Sequence, residues 1–142
     1  KVMGDEGKVY CIISDGEMQI GATWEAAIIA AQQKLNNLVL IIDWNGWQAI
    51  GDIHDIGNVE PIGDKWEAFN WNMVRINGHH YGDIERALTG EPFVEGHKKD
   101  MPKVIIARTT KGKVVSFFEN ENILHYQHVS DETLAKALEE LK

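Results

Sequence analysis

Two oxygen-bearing side chains stand where apolar runs end. Asp15 follows VYCIIS and precedes Gly16; Asn45 follows LVLIID and Trp44 and precedes Gly46. A carboxylate and an amide carbonyl are both hard donors. Few such donors with open positions left over suit Mg²⁺, which keeps water and phosphate oxygens in its shell. Gly46 permits a sharp turn, which makes the main-chain carbonyl of Trp47 available as a third donor. Gly16 lets the backbone approach a ligand closely, and amides entering the next helix can meet anionic oxygens. These pieces describe a metal and diphosphate site. Asp-Gly and Asn-Gly are equally ordinary turn dipeptides, so spacing alone supports a pair of turns just as well.

A shared site requires both residues on one edge of the fold. Lys8–Ser14 (KVYCIIS) reads as a buried strand and Leu38–Asp43 (LVLIID) as a second. Between them, WEAAIIAAQQKL carries Trp24, Ala27, Ile28, Ala31 and Leu35 at helical spacing, with Thr23 as N-cap and Asn36-Asn37 as the stop. Strand, helix and strand in this span is the pattern of parallel pairing. The pattern continues with a helix over Pro61–Asn70, a strand over Asn72–Ile76, a helix over Asp83–Leu88 and a strand over Lys103–Arg108. A last helix spans Asp131–Leu141, capped by Ser130 or Asp131. Gly90–Met101 reads as an exposed loop. The fold class expected is α/β, an open mainly parallel sheet with helices on both faces. Ligands of such sheets bind beyond the carboxyl ends of the strands. Adjacent strands lie about 5 Å apart, so Asp15 and Asn45 can share one rim.

Bulk properties narrow the function. The 142 residues are 44% hydrophobic and 25% charged, which fits a single domain with a real core. A net charge of -8 argues against nucleic acid or an anionic membrane as partner. The single cysteine, Cys11, lies in an apolar run as a small buried hydrophobe, and fits a reducing, cytoplasmic compartment. No apolar stretch reaches the length of a membrane span. His79 and His80 are adjacent and point opposite ways in an extended chain, a poor ligand pair. Trp24 and Trp66 fit helix core faces, and Glu139 and Glu140 a solvated one.

SDGEMQIGATWEAAIIAAQQKLNNLVLIIDWNGWQ resembles the thiamine diphosphate motif of transketolases, in which an Asp-Gly pair, a helix and a downstream asparagine recur. PIGDKWEAFNW, RINGHH and PKVIIARTTKGKVVSFFENENILH follow in family order, and the last is similar to the KGKGVSFMEN stretch of the N-terminal subunit of split, two-subunit transketolases. The resemblance covers nearly the whole chain. It implies thiamine diphosphate held through Mg²⁺, with Ca²⁺ or Mn²⁺ as substitutes. Asp15 and Asn45 would be side-chain ligands and Trp47 a backbone ligand, while Gly16 and Glu17 would offer amides to the diphosphate. His125 would lie near diphosphate and substrate as the catalytic residue of this segment. The implied reaction passes a two-carbon ketol unit from ketose to aldose phosphates. The implied partner is a pyrimidine-binding domain or C-terminal transketolase subunit, in a homo-oligomer or heteromer.

Three positions depart from the family pattern. Ser14 replaces a glycine, Ile20 a glutamate at the family's dimer contact, and Tyr126 a glycine after the histidine. The chain opens at Lys1 without methionine and lacks the stretch that precedes KVYCIIS in the family. Residues 1–142 are therefore expected to be one partial diphosphate-binding domain, inactive without its partner. Two alternatives stand beside this. One is a non-catalytic remnant of the same fold. The other is a different thiamine diphosphate enzyme, a deoxyxylulose-phosphate synthase or a 2-oxo acid dehydrogenase component.

Overall fold

A computed structural model describes residues 1, 3–5, 7–89 and 96–142. Its strands are β1 (Val9–Ser14), β2 (Leu38–Trp44), β3 (Trp47–Gln48), β4 (Gly51–Asp52), β5 (Asn72–Asn77) and β6 (Lys103–Arg108). Its α-helices are α1 (Gly21–Gln32), α2 (Ile53–Gly57), α3 (Ile62–Ala68), α4 (Tyr81–Thr89) and α5 (Asp131–Glu140). Two 3-10 turns, Asp15–Gln19 and Asn122–His125, complete the set. The main sheet runs β1-β2-β6-β5, with every pairing parallel. Register aligns the carboxyl ends: Ser14 pairs with Asp43, Trp44 with Arg108, and Asn77 with Arg108.

Alternation along β2 and β6 explains the layers. Leu40, Ile42, Val104 and Ile106 face one side, where they meet Ala27, Ala30 and Ala31 of α1 and Ile62 and Trp66 of α3. Val39, Ile105 and Ala107 face the other, where Ala87 of α4 packs among them. Both central strands are thus apolar on both faces, as parallel strands must be when helices cover each side. Tryptophans fill the first layer. Trp66 lies 5.2 Å from Trp24 and 4.8 Å from Trp71 between ring centres, and Trp71 Nε1 donates to Ala27 O at 2.9 Å. No helix among the described residues is long and apolar enough to cross a membrane.

Several boundaries differ from the sequence expectation. Helix α1 begins at Gly21, so Thr23 lies in its first turn and is not the N-cap. The 3-10 turn runs straight into α1, and the Thr23 hydroxyl instead donates back to Glu17 O at 2.9 Å. The helix stops before Asn36-Asn37. Lys34 adopts φ 51, Lys34 N donates to Ala31 O, and Leu35 N donates to Ala30 O. That pair of bonds is a Schellman closure with lysine at the position glycine usually takes. Ser130 is the cap of α5, accepting from Thr133 N at 3.2 Å.

The expectation of a buried first strand is corrected. β1 is an edge strand, and its Val9, Tyr10, Cys11 and Ile12 are exposed, Ile12 by 72%. Only Ile13 joins the core, because α1 covers one face of β1 and no described helix covers the other. Ile28 is likewise 52% exposed rather than part of the helix core face. The β3–β4 hairpin and α2 were not foreseen. Of the expected loop Gly90–Met101, residues 90–95 lie outside the described residues, and 96–100 are exposed.

Candidate functional site

The rim at the carboxyl ends of β1 and β2 is built by two tight connections. After β1 the chain winds into a 3-10 turn that opens at Asp15, closed from behind by Ser14 N donating to the Glu17 carboxylate at 2.8 Å. Ser14 has φ -86, within reach of any residue, so serine replaces the family's glycine there without strain. After β2, Gly46 turns with φ 81, a left-handed conformation that favours glycine. The hairpin β3–β4 then folds back and Ile53 N donates to Gly46 O at 2.9 Å.

These two connections meet at Asp15. Its side chain is 1% exposed and accepts from Gly46 N at 2.7 Å. Burial pushes the Asp15 carboxyl above the usual aspartate range. The amides of Gly46, Gly16 and Asn45 oppose that shift, and the nearby Asp43 charge adds to it. Among the described residues no cationic side chain meets Asp15, and a buried carboxylate without one is costly by itself. Asn45 sits over the same rim. Its Nδ2 donates to Asp43 Oδ2 at 3.1 Å and its Oδ1 accepts from Trp47 N at 2.8 Å. Gly16 faces Gln48, and an added Cβ would lie 3.4 Å from that side chain. Gln48 Nε2 is buried there without a partner among the described residues.

The structure therefore brings Asp15, Gly16, Asn45 and Trp47 together. His125 follows a different set of contacts. It is exposed at the end of the second 3-10 turn, with Nδ1 3.1 Å from Lys111 Nζ and its ring edge-on to Tyr126. That turn is nonetheless tied to the rim. With its amide oriented to satisfy both partners, Asn122 donates to Gln48 O at 2.7 Å and accepts from Gly51 N at 3.2 Å. Glu17 offers its side chain to Ser14 and its carbonyl to Thr23. Ile20 is 52% exposed beside an apolar groove between β1 and α1.

Three residues of the rim were missed in the sequence. Asp43, inside the apolar run, accepts from the Thr109 hydroxyl as well as from Asn45. Thr109 sits beyond the end of β6, where its N donates to Trp44 O at 3.1 Å. Arg108 lines a cleft of about 920 Å³ with Asn45, Gly46, Arg75, His79 and Thr109. His79 Nε2 accepts from Thr110 N at 2.7 Å and latches the β5 turn to the β6 turn. Among the described residues no three acidic, histidine or cysteine side chains converge. Asp15, Asp43 and Asn45 are side-chain oxygen donors at the rim.

The family model described as the transketolase, thiamine diphosphate binding domain matches residues 4–141. The chain belongs to the transketolase family. It is 38% identical over 142 residues to one subunit of the apulose-4-phosphate transketolase of Actinobacillus succinogenes, a match covering 100% of this chain and 50% of that relative. It is 35% identical to a 6-deoxy-6-sulfo-D-fructose transketolase subunit of a Clostridium species, covering 94% of this chain and 47% of the relative. The chain spans about half the length of these curated relatives. Among solved structures, transketolase from Campylobacter jejuni superposes with a TM-score of 0.81 at 33% identity, over 94% of this chain and 20% of that one. The transketolase match and the parallel sheet with helices on both faces agree with the fold class read from the sequence.

Proposed function

We propose that this transketolase domain holds thiamine diphosphate through a divalent cation, Mg²⁺ first, at the rim between β1 and β2. The observation that carries the reading is the meeting of Asp15 and Asn45 there, with the Asp15 carboxylate buried and, among the described residues, lacking a cationic side chain. The fit is chemical. Asn45 Oδ1 has accepted one hydrogen bond and keeps a lone pair. A cation would offset the cost of the buried Asp15 charge. The unpartnered Gln48 Nε2 beside Gly16 is a donor in want of an acceptor. In this reading Asp15, Asn45 and the Trp47 carbonyl hold the metal, and the Gly16 and Glu17 amides face the diphosphate.

When bound, thiamine diphosphate supplies the nucleophilic carbon of ketol transfer. The chain's own residues bind and orient. Arg108 places positive charge in the adjoining cleft, where Arg75 is paired with Glu60 at 3.6 Å, and a cation there suits anionic sugars such as those named for the two relatives above. His125, beside Lys111, is assigned to the substrate side, carried by the turn that Asn122 ties to the hairpin. Residues 1–142 form one diphosphate-binding domain in this account, and turnover requires a pyrimidine-binding domain from a partner segment or C-terminal subunit.

Titration calorimetry of the chain with thiamine diphosphate, with and without Mg²⁺, tests the reading. Binding should require the cation and weaken by more than about 100-fold in Asp15→Ala. Binding that ignores Mg²⁺, or that survives Asp15→Ala, would exclude this site.

A further inference from the structure

Asp43 is the acidic residue at the rim to which neither the family pattern nor the proposed ligand set gives a task. It lies within β2, paired with Ser14 of β1 and Ala107 of β6, so it occupies the centre of three adjoining strand ends. Its carboxylate is held on both oxygens. Oδ1 accepts from the Thr109 hydroxyl and Oδ2 from Asn45 Nδ2 at 3.1 Å. Thr109 is itself fixed by its backbone bond to Trp44 O, and its methyl group occupies the space where Gly78 would carry a Cβ.

This arrangement dictates the polarity of the Asn45 amide. A primary amide can enter its place either way round, with oxygen and nitrogen exchanged. Here Nδ2 meets the Asp43 carboxylate and Oδ1 meets Trp47 N. The exchanged amide would set oxygen against carboxylate and NH₂ against N–H, two repulsions in a half-buried place. Both bonds are local, two residues to either side of Asn45, and the Asp43 end is anchored in turn across the sheet by Thr109.

We propose that Asp43 is a positioning residue. It locks the Asn45 amide, braced by Thr109, so that Oδ1 is presented to a divalent cation, without ligating that cation itself. The proposal rests on the metal site proposed above. Its logic is that of outer partners in metal sites generally, whose loss weakens metal affinity by about 10–100-fold.

Charge and acceptor geometry can be separated. Asp43→Asn keeps an oxygen for Asn45 Nδ2 and an NH₂ that can donate to the Thr109 hydroxyl, so orientation survives while the charge goes. Asp43→Ala and the shape-matched Asp43→Leu remove the acceptor. The measurement is calorimetry of MgCl₂ with thiamine diphosphate on the whole chain, with the side-chain amide resonances of Asn45 followed by NMR. Asp43→Ala and Asp43→Leu should lose about 10–100-fold in affinity, and Asp43→Asn should stay within about threefold of the parent. In the ligand-free parent, the Asn45 Nδ2 protons should exchange slowly, and faster in Asp43→Leu. Parental affinity in Asp43→Leu would overturn the proposal, and so would a loss in Asp43→Asn as large as in Asp43→Leu, which marks direct ligation or charge. Fast exchange of the Asn45 amide in the parent overturns it even where the variants do not fold. A parent that binds no Mg²⁺ with thiamine diphosphate sinks the metal site as well. Loss in Asp15→Ala but not in Asp43→Leu sinks only the role of Asp43.

Discussion

Asp15 concentrates the energetic conflict of the rim in one carboxyl group. Burial raises its proton affinity above that of an unfolded aspartate, more than the Gly46 and Gly16 amides lower it. Above the ordinary aspartate value of about 3.9, the folded chain keeps a proton that the unfolded chain has released. Stability from this group therefore falls as pH rises through that window. In metal-free buffer, the melting temperature of the parent minus that of Asp15→Ala should be greatest near pH 4 and shrink toward pH 7. A difference that grows with pH would mean that the buried carboxylate is satisfied without a cation. Gly46 poses a different constraint. Its φ of 81 with open space around the missing Cβ predicts that Gly46→Ala costs about 1 kcal/mol through backbone strain alone, measurable by urea unfolding.

The elements that carry these residues were legible to different degrees. β2 and β6 stood out as short β-branched apolar runs between turn signals, while β5 showed as a shorter mixed run. Asp15 and Asn45 were legible for the same reason: each follows such a run. The exposure of β1 was not, since VYCII reads alike at a sheet centre and at its edge. The start of α1 was misplaced because a 3-10 turn leaves no gap for a side-chain cap, and its end because Lys34 closes it where glycine is the usual signal. Asp43 escaped notice since its partner Thr109 lies 66 residues away, a pairing that only β2 beside β6 creates. That pairing leaves Gly78 no room: a Cβ there would lie 2.5 Å from the Thr109 methyl and 3.1 Å from Arg108 O. Gly78→Ala should therefore destabilise by about 1–3 kcal/mol. It should also displace Thr109 and weaken Mg²⁺-dependent binding, whereas an exposed-loop glycine such as Gly96 should tolerate alanine at the level of binding.

At the scale of the molecule, the sheet is covered on both faces over β2 and β6, whereas α1 covers one face of β1 and no described helix the other. Val9, Tyr10 and Ile12 on that edge, with Ile20 just before α1 and Ile28 and Ile29 on it, leave apolar side chains in water. An open, apolar edge strand is a template for association, and a lysine on it is the usual protection. Ile12→Lys should reduce concentration-dependent light scattering of the chain while leaving Mg²⁺-dependent binding in place, because Ile12 lies outside the rim. What unites the three scales is the claim that a parallel sheet delivers Asp15 and Asn45 to one cation. Crystals grown with Mn²⁺ and thiamine diphosphate put that to the most direct test through anomalous scattering. The account predicts one peak bonded to an Asp15 carboxylate oxygen and to Asn45 Oδ1, with Asp43 outside the coordination shell. Bound cofactor with the peak elsewhere, or with Asp43 as a ligand in place of Asn45, would contradict it.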